Sequence, residues 1–213
     1  MTISFKIITH AIQLMTIIAC IRYLVFKKSL QPYLFFSIGW IIILLFDLAM
    51  VTVGLIYPKN NNWIYNIAFP LQQLFIMYFF TRLLENKNLY GVMSLFGLFA
   101  VFNLLFWQGR ITLNTYSLAL GGIIIVLFAF FKIFRLYRTD SPQSLYSEPA
   151  FWICTGFIVY WGMGSPFFAM YNFLWESTPS FFIIYFYTVN FGFTILRNLS
   201  IIKALQCSLI TQR

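Results

Sequence analysis

Few residues of this sequence could do chemistry, and the most unusual is a lone acid within an apolar stretch. Asp47 lies in the stretch 32–57, ten residues before its end. A helix rises 1.5 Å per residue, so this carboxyl would lie ~15 Å from the nearer end of the helix. An ionisable group among so many apolar side chains is costly to bury unless it is paired or used. The position predicts either a ligand-binding acid or a hydrogen-bonding link between helices.

Five other polar side chains lie within about one helical turn of the depth of Asp47, in three other apolar stretches. The predicted ligand-binding set is Asp47, Gln73, Asn190, His10, Gln13 and Tyr187. We expect these side chains to line one pocket in the outer half of a helical bundle. The alternative is that the acid and the amides only join helices, each hydrogen bond contributing roughly 0.6 kcal/mol in a membrane.

A run of flexible residues interrupts the stretch 149–172. Gly162, Gly164 and Pro166 fall close together near its middle. Proline lacks a backbone N–H and clashes with the carbonyl four residues earlier, which kinks or breaks a helix. We therefore predict a kink or partial unwinding at mid-depth, acting as a hinge. A static kink that improves packing is the alternative.

The elements that must position these side chains are long and apolar. The chain has 213 residues, 61% hydrophobic and 9% charged, whereas a soluble domain is about 25% charged. A membrane-spanning helix needs about 20 apolar residues. Seven such stretches occur, at 3–26, 32–57, 63–85, 88–107, 115–138, 149–172 and 180–205. The sequence predicts an all-α integral membrane bundle of seven transmembrane helices, one domain over residues 1–213.

The basic residues orient this bundle. Of the 14 lysines and arginines, only Lys6, Lys59 and Arg110 fall on the side of the N-terminus, and the other 11 fall on the opposite side. Because loops on the cytoplasmic side are enriched in Lys and Arg, we predict that the N-terminus is outside and the C-terminus is cytoplasmic.

The same asymmetry accounts for the formal net charge of +9. In a soluble protein such a charge would suggest nucleic acid, but here topology and lipid headgroups explain it, and we expect no nucleic-acid partner. The basic residues expected to face lipid or a partner at the cytoplasmic surface are Lys27, Lys28, Arg135 and Arg138.

The sequence lacks the residue patterns of common catalytic and cofactor sites. No nucleophile-elbow, nucleotide-binding or zinc-protease motif occurs. A single histidine and one deep acid do not make a usual metal site, and no lysine lies in the middle of the last stretch to carry retinal. We therefore predict no catalytic residue, no metal and no cofactor.

Short motifs give the chain a family resemblance. They are EPAFWI at 148–153, followed by Gly156 and Tyr160, then WIYN at 63–66 and LRNL at 196–199. With these motifs the chain resembles a group of small bacterial seven-helix membrane proteins. Members are often encoded beside sensor histidine kinases or fused to them. The resemblance implies a sensory role, a bacterial cytoplasmic (inner) membrane location and a signalling partner such as a histidine kinase.

The leading functional prediction is a non-enzymatic membrane sensor or signalling subunit with a polar pocket in its outer half. A transporter of small molecules or a proton-coupled permease, with Asp47 as the coupling acid, is the first alternative. A structural subunit of a larger membrane complex is the second. The lipid bilayer is the partner common to all three.

Overall fold

The computed structural model describes the backbone of residues 2–26, 31–56, 62–108, 112–139, 145–177 and 179–210. Side chains are described for 7–26, 32–50, 62–108, 112–138, 145–174 and 188–209. The described chain is almost entirely helical, which confirms the predicted all-α fold class.

Seven long helices follow one another in the part of the chain that the structure describes. They are α1 (Thr2–Phe26), α2 (Gln31–Ile56), α3 (Asn62–Leu84), α4 (Leu89–Phe102), α5 (Thr115–Thr139), α6 (Pro149–Ser177) and α7 (Pro179–Ile210). Each coincides with one predicted stretch, but α6 and α7 each run about five residues further than the sequence predicts. The turn signals between the stretches therefore placed the breaks correctly.

Six of the helices, α1 to α6, are long and apolar enough to cross a membrane. This makes the chain a multi-pass membrane protein. Over its described side chains, 188–209, helix α7 is not apolar enough to join these six. Arg197 and Lys203 lower its mean hydropathy there.

The fourth stretch does not end as a regular α-helix. Residues Asn103–Trp107 form a π-helical turn that continues α4. Asn103 is fully buried, and its Nδ2 donates to Ser117 Oγ at 2.8 Å and to Gln108 Oε1 at 2.9 Å. These bonds to polar groups explain why the widened turn forms at Asn103.

Six helices form a closed ring in the order α1, α2, α3, α5, α6 and α7, with α7 packed back against α1. Helix α4 lies outside this ring, against α3 and α5. Its outer face is open, with Leu95 and Leu98 each 69% exposed. A helix exposed in this way suits lipid as its solvent.

Two adjacent glycines bring α5 close to its neighbours. A side-chain carbon on Gly121 would collide with Gln73 of α3, and one on Gly122 would collide with Ser165 and Trp161 of α6. The sequence predicts that paired small residues make α5 a packing helix, and the structure confirms it.

Helix α6 is continuous through its proline. Residues Pro149–Ser177 are helical without interruption, with Pro166 inside the helix. The predicted partial unwinding at mid-depth is therefore wrong. Ser165, beside the proline, packs into the space left by Gly122, so the contact with α5 holds this part of α6 in helical form.

Candidate functional site

A polar cavity of about 170 Å³ opens among five of the helices. Helices α1, α2, α3, α6 and α7 all contribute to its wall. The polar side chains that line it are Thr9, His10, Gln13, Asp47, Tyr65, Gln72, Tyr160, Asn190, Thr194 and Arg197. Small-molecule sites often lie between the helices of a bundle, and a wall with this many hydrogen-bonding groups suits a polar group of a ligand.

Four of the six predicted ligand-binding residues meet in this cavity: Asp47, Asn190, His10 and Gln13. His10 Nδ1 lies 2.9 Å from Gln13 Oε1, so these two side chains are already bonded to each other on the α1 wall. Asp47 is partly exposed to the cavity from α2, and Asn190 from α7. For these four side chains, a similar depth along separate helices agrees with their position in one cavity. The side chain of Tyr187 lies outside the described residues.

Gln73 lies elsewhere, contrary to the predicted shared pocket. Its Nε2 donates to the carbonyl of Leu118 at 2.8 Å, and its side chain occupies the space beside Gly121. It joins α3 to α5. Its neighbour Gln72 lines the cavity instead. Consecutive residues of a helix point about 100° apart. Gln72 therefore faces the cavity while Gln73 faces α5.

Arg197 is a candidate functional residue that its position in the sequence does not assign to the cavity. At 17 residues along the stretch 180–205, its guanidinium is expected to extend toward the inner headgroups or to pair with a partner on the cytoplasmic side. It is instead 2% exposed, in the wall of the cavity. Its guanidinium carbon lies 4.1 Å from the ring centroid of Tyr160 and 5.0 Å from that of Trp40. Such cation–π contacts are a strong reason for a buried arginine to stay inside.

Arg197 contributes a buried hydrogen-bond donor to the cavity wall. Its Nε has no hydrogen-bond partner among the described residues. It lines the same cavity as Asp47. Tyr160 connects them to the rest of the wall, because its hydroxyl also contacts Thr194. A signal for Arg197 did exist, since Asn190, Thr194 and Arg197 follow helical spacing along one face of α7.

A layer of aromatic rings closes the cavity on the side of the α2 N-terminus. Its members are all fully buried: Phe36, Trp40, Phe79, Phe80 and Phe157. Phe157 of α6 lies 5.5 Å from Trp40 and 5.9 Å from Phe80, centroid to centroid. These rings therefore pack against one another in the middle of the bundle, next to the cavity.

The predicted hinge residues lie just beyond the cavity wall on α6. Gly162 and Pro166 are exposed, and Gly164 lines a small recess beside Phe168 and Asn190. The recess touches the same Asn190 that lines the cavity. Movement of α6 at Gly162, Gly164 and Pro166 stays a prediction.

The two described basic residues of the cytoplasmic set differ in their surroundings. Arg135 Nη1 donates to the carbonyl of Leu84 at 2.8 Å, where it satisfies the open end of α3. Arg138 is exposed, and its guanidinium lies 4.3 Å from the ring of Phe134. Arg138 is therefore the freer of the two for lipid or a partner. Lys27 and Lys28 lie outside the described residues.

No protein-family model, curated protein or solved structure matches the chain significantly. The resemblance to the small bacterial seven-helix membrane proteins stays a prediction.

Proposed function

We propose that this chain is a non-enzymatic sensor or signalling subunit of a bacterial cytoplasmic membrane, which binds a small molecule in the cavity of α1, α2, α3, α6 and α7. One observation carries the proposal. The wall of one cavity holds both a buried arginine with an unpartnered Nε and an acid, in a chain with six apolar helices long enough to cross a membrane. Ionisable groups in membrane segments are expensive and typically functional.

The proposed topology has seven spans with the N-terminus outside and the C-terminus cytoplasmic. It adds α7 to the six helices that are apolar enough to cross a membrane, and the excess of basic residues on one side supports the orientation. In this topology the cavity belongs to the outer half, and the aromatic layer lies between it and the cytoplasm.

The aromatic layer favours sensing over transport. A transporter must open its site alternately to both sides, whereas five fully buried rings pack against one another directly below this cavity. Repacking such a core is costly. A sensor needs a smaller change, because a shift of α7 by a bound ligand is passed to α6 by direct contact.

The route from the cavity to the cytoplasmic side is short. Arg197 belongs to the cavity wall, and its own backbone packs on Gly156 of α6, where an added side-chain carbon would lie 3.2 Å from the Arg197 carbonyl oxygen. Helices α6 and α7 share a long contact surface. A ligand that pulls on the Arg197 guanidinium therefore moves the part of α7 that contacts the inner half of α6.

The partner in this proposal is a membrane or cytoplasmic signalling protein such as a histidine kinase. The test is native mass spectrometry of the full chain extracted in its native lipids, followed by assay of the partner's activity. We expect a stoichiometric signalling protein whose activity changes in Asn190→Leu, which replaces an amide of the cavity wall with an apolar side chain of similar size. Its activity should be unchanged in Leu98→Ala on the outer face of α4.

Two results would replace the proposal with its alternatives. If the chain emerges alone and Asp47→Asn abolishes the uptake of a solute by cells, the protein is a transporter. If the chain emerges in a complex whose stability falls in Asn190→Leu while its activity does not change, it is a structural subunit.

A further inference from the structure

A second recess suggests how a ligand reaches the polar cavity. An apolar groove of about 400 Å³ opens between α2 and α3 on the outside of the ring. Its rims are exposed, with Ile42 61% and Leu71 60% accessible. In a membrane these side chains face lipid.

The groove and the polar cavity meet at two polar side chains. Asp47 and Gln72 line both of them. The groove and the cavity are therefore adjacent, and the end of the groove that meets the cavity is polar. A groove made only for a neighbouring apolar helix would have no use for a carboxyl group at its end.

The dimensions of the groove suit one extended alkyl chain. It runs along α2 from Phe35 to Asp47, which is about 18 Å at 1.5 Å per residue. One leaflet of a hydrocarbon core ~30 Å thick spans ~15 Å. The groove at its far end is bounded by Phe35 and Phe75, whose ring centroids lie 5.3 Å apart.

The depth of the junction limits the head group of the ligand. Asp47 is ten residues from the end of the stretch 32–57, which is ~15 Å from that end and so near the bilayer centre. The charged headgroup of a phospholipid does not enter at that depth without a large cost. A ligand that reaches the cavity through the lipid must therefore have a small, uncharged polar head group.

The chemistry of the cavity limits the head further. The N–H at Nε of Arg197 needs a hydrogen-bond acceptor. The carboxyl oxygens of Asp47 can accept a hydrogen bond from an O–H group. A head with both an O–H donor and an oxygen acceptor satisfies the two sides at once. Hydroxyl and carboxylic acid groups have this property, and each is far smaller than the cavity.

We propose that the ligand is a single-chain amphiphile with a small hydroxyl-bearing head, a fatty alcohol or a protonated fatty acid, which enters from the bilayer between α2 and α3. The head occupies the cavity between Asp47 and Arg197, and the chain lies in the groove. This inference rests on the proposed function and names the class of its ligand.

The test uses the full chain in phosphatidylcholine nanodiscs and four probes. Tetradecanoic acid and tetradecanol each carry a photoreactive diazirine on the chain, tetradecane with the same diazirine has no head, and butanoic acid has no long chain. Labelled residues are mapped by mass spectrometry. We expect saturable labelling of groove residues by the acid or the alcohol, and the better of the two identifies the head. The alkane should label the groove weakly and without saturation.

Two variants locate the chain and the head separately. Leu71→Trp fills the groove and should reduce labelling by at least about tenfold, since the indole displaces several methylenes of the chain. Leu95→Trp is the matched control on α4, where the side chain is 69% exposed and lines neither recess, and it should label as the parent does. Asn190→Leu removes an amide from the cavity wall at a similar side-chain size, and it should remove saturation while leaving the groove accessible.

Three results would overturn the inference. Equal labelling by the alkane means that the groove holds ordinary bilayer chains only. If labelling is unchanged in Leu71→Trp, the alkyl chain of the ligand lies outside the groove. If butanoic acid binds in an Asn190-dependent way while the long-chain probes do not, the ligand enters from water, so lateral entry fails but the sensor proposal stands.

Discussion

Replacing Arg197 with methionine removes the charge that faces Asp47, and we expect it to destabilise the fold strongly. The arginine is 2% exposed and contacts two aromatic rings. Each cation–π contact contributes about 0.5–2 kcal/mol. Removing one partner of a direct buried charge pair costs about 3–5 kcal/mol. The lower end applies because Arg197 and Asp47 share the cavity without a direct ion pair among the described side chains. The free energy of unfolding should fall by about 3 kcal/mol, which lowers Tm by roughly 6–12 °C for a chain of this size.

The pair is tested by a double-mutant cycle. Asp47→Asn alone leaves the arginine on its rings and should cost ~1–2 kcal/mol. The double variant should cost less than the sum of the two single variants by ~1–2 kcal/mol, because neither charge is then left alone. Unfolding by sodium dodecyl sulfate in mixed micelles measures all three. Arg138→Met is the matched control, an exposed arginine over one ring, and should change stability by less than ~0.5 kcal/mol.

Additive single effects would refute the reasoning. They would mean that Asp47 and Arg197 do not interact in the folded protein, and that the arginine is buried for its ring contacts alone. An effect of Arg138→Met as large as that of Arg197→Met would show that any loss of arginine destabilises this chain.

The remaining predictions concern packing and topology. Gly122→Ala should destabilise by ~1–3 kcal/mol through overpacking, while Gly91→Ala, with no atom within 4 Å of the added carbon, should not; thermal unfolding of the pair checks this. Phe157→Ala should cost ~3–5 kcal/mol by opening a cavity in the aromatic layer, as measured by the same unfolding assay. In intact cells an impermeant maleimide should label Lys59→Cys and not Lys28→Cys; the reverse pattern would invert the proposed orientation.

The sequence by itself determined the fold class and the positions of the helices. The seven apolar stretches and the turn signals between them place all seven helices, because a chain in lipid must satisfy its backbone within each helix. It also determined which polar side chains share a depth, since the rise per residue is constant. His10, Gln13, Asp47 and Asn190 share such a depth and meet in one cavity, whereas Gln73 shares it and faces α5.

The tertiary structure alone decided which way each side chain faces. A membrane helix is apolar on all sides, so its sequence does not show which side faces the interior of the bundle. The sequence therefore could not tell whether Gln72 or Gln73 faces the cavity. The burial of Arg197 required Tyr160 of α6 and Trp40 of α2 to converge on one point of α7. Such convergence depends on how helices distant in sequence pack, and depth along one helix carries no information about it.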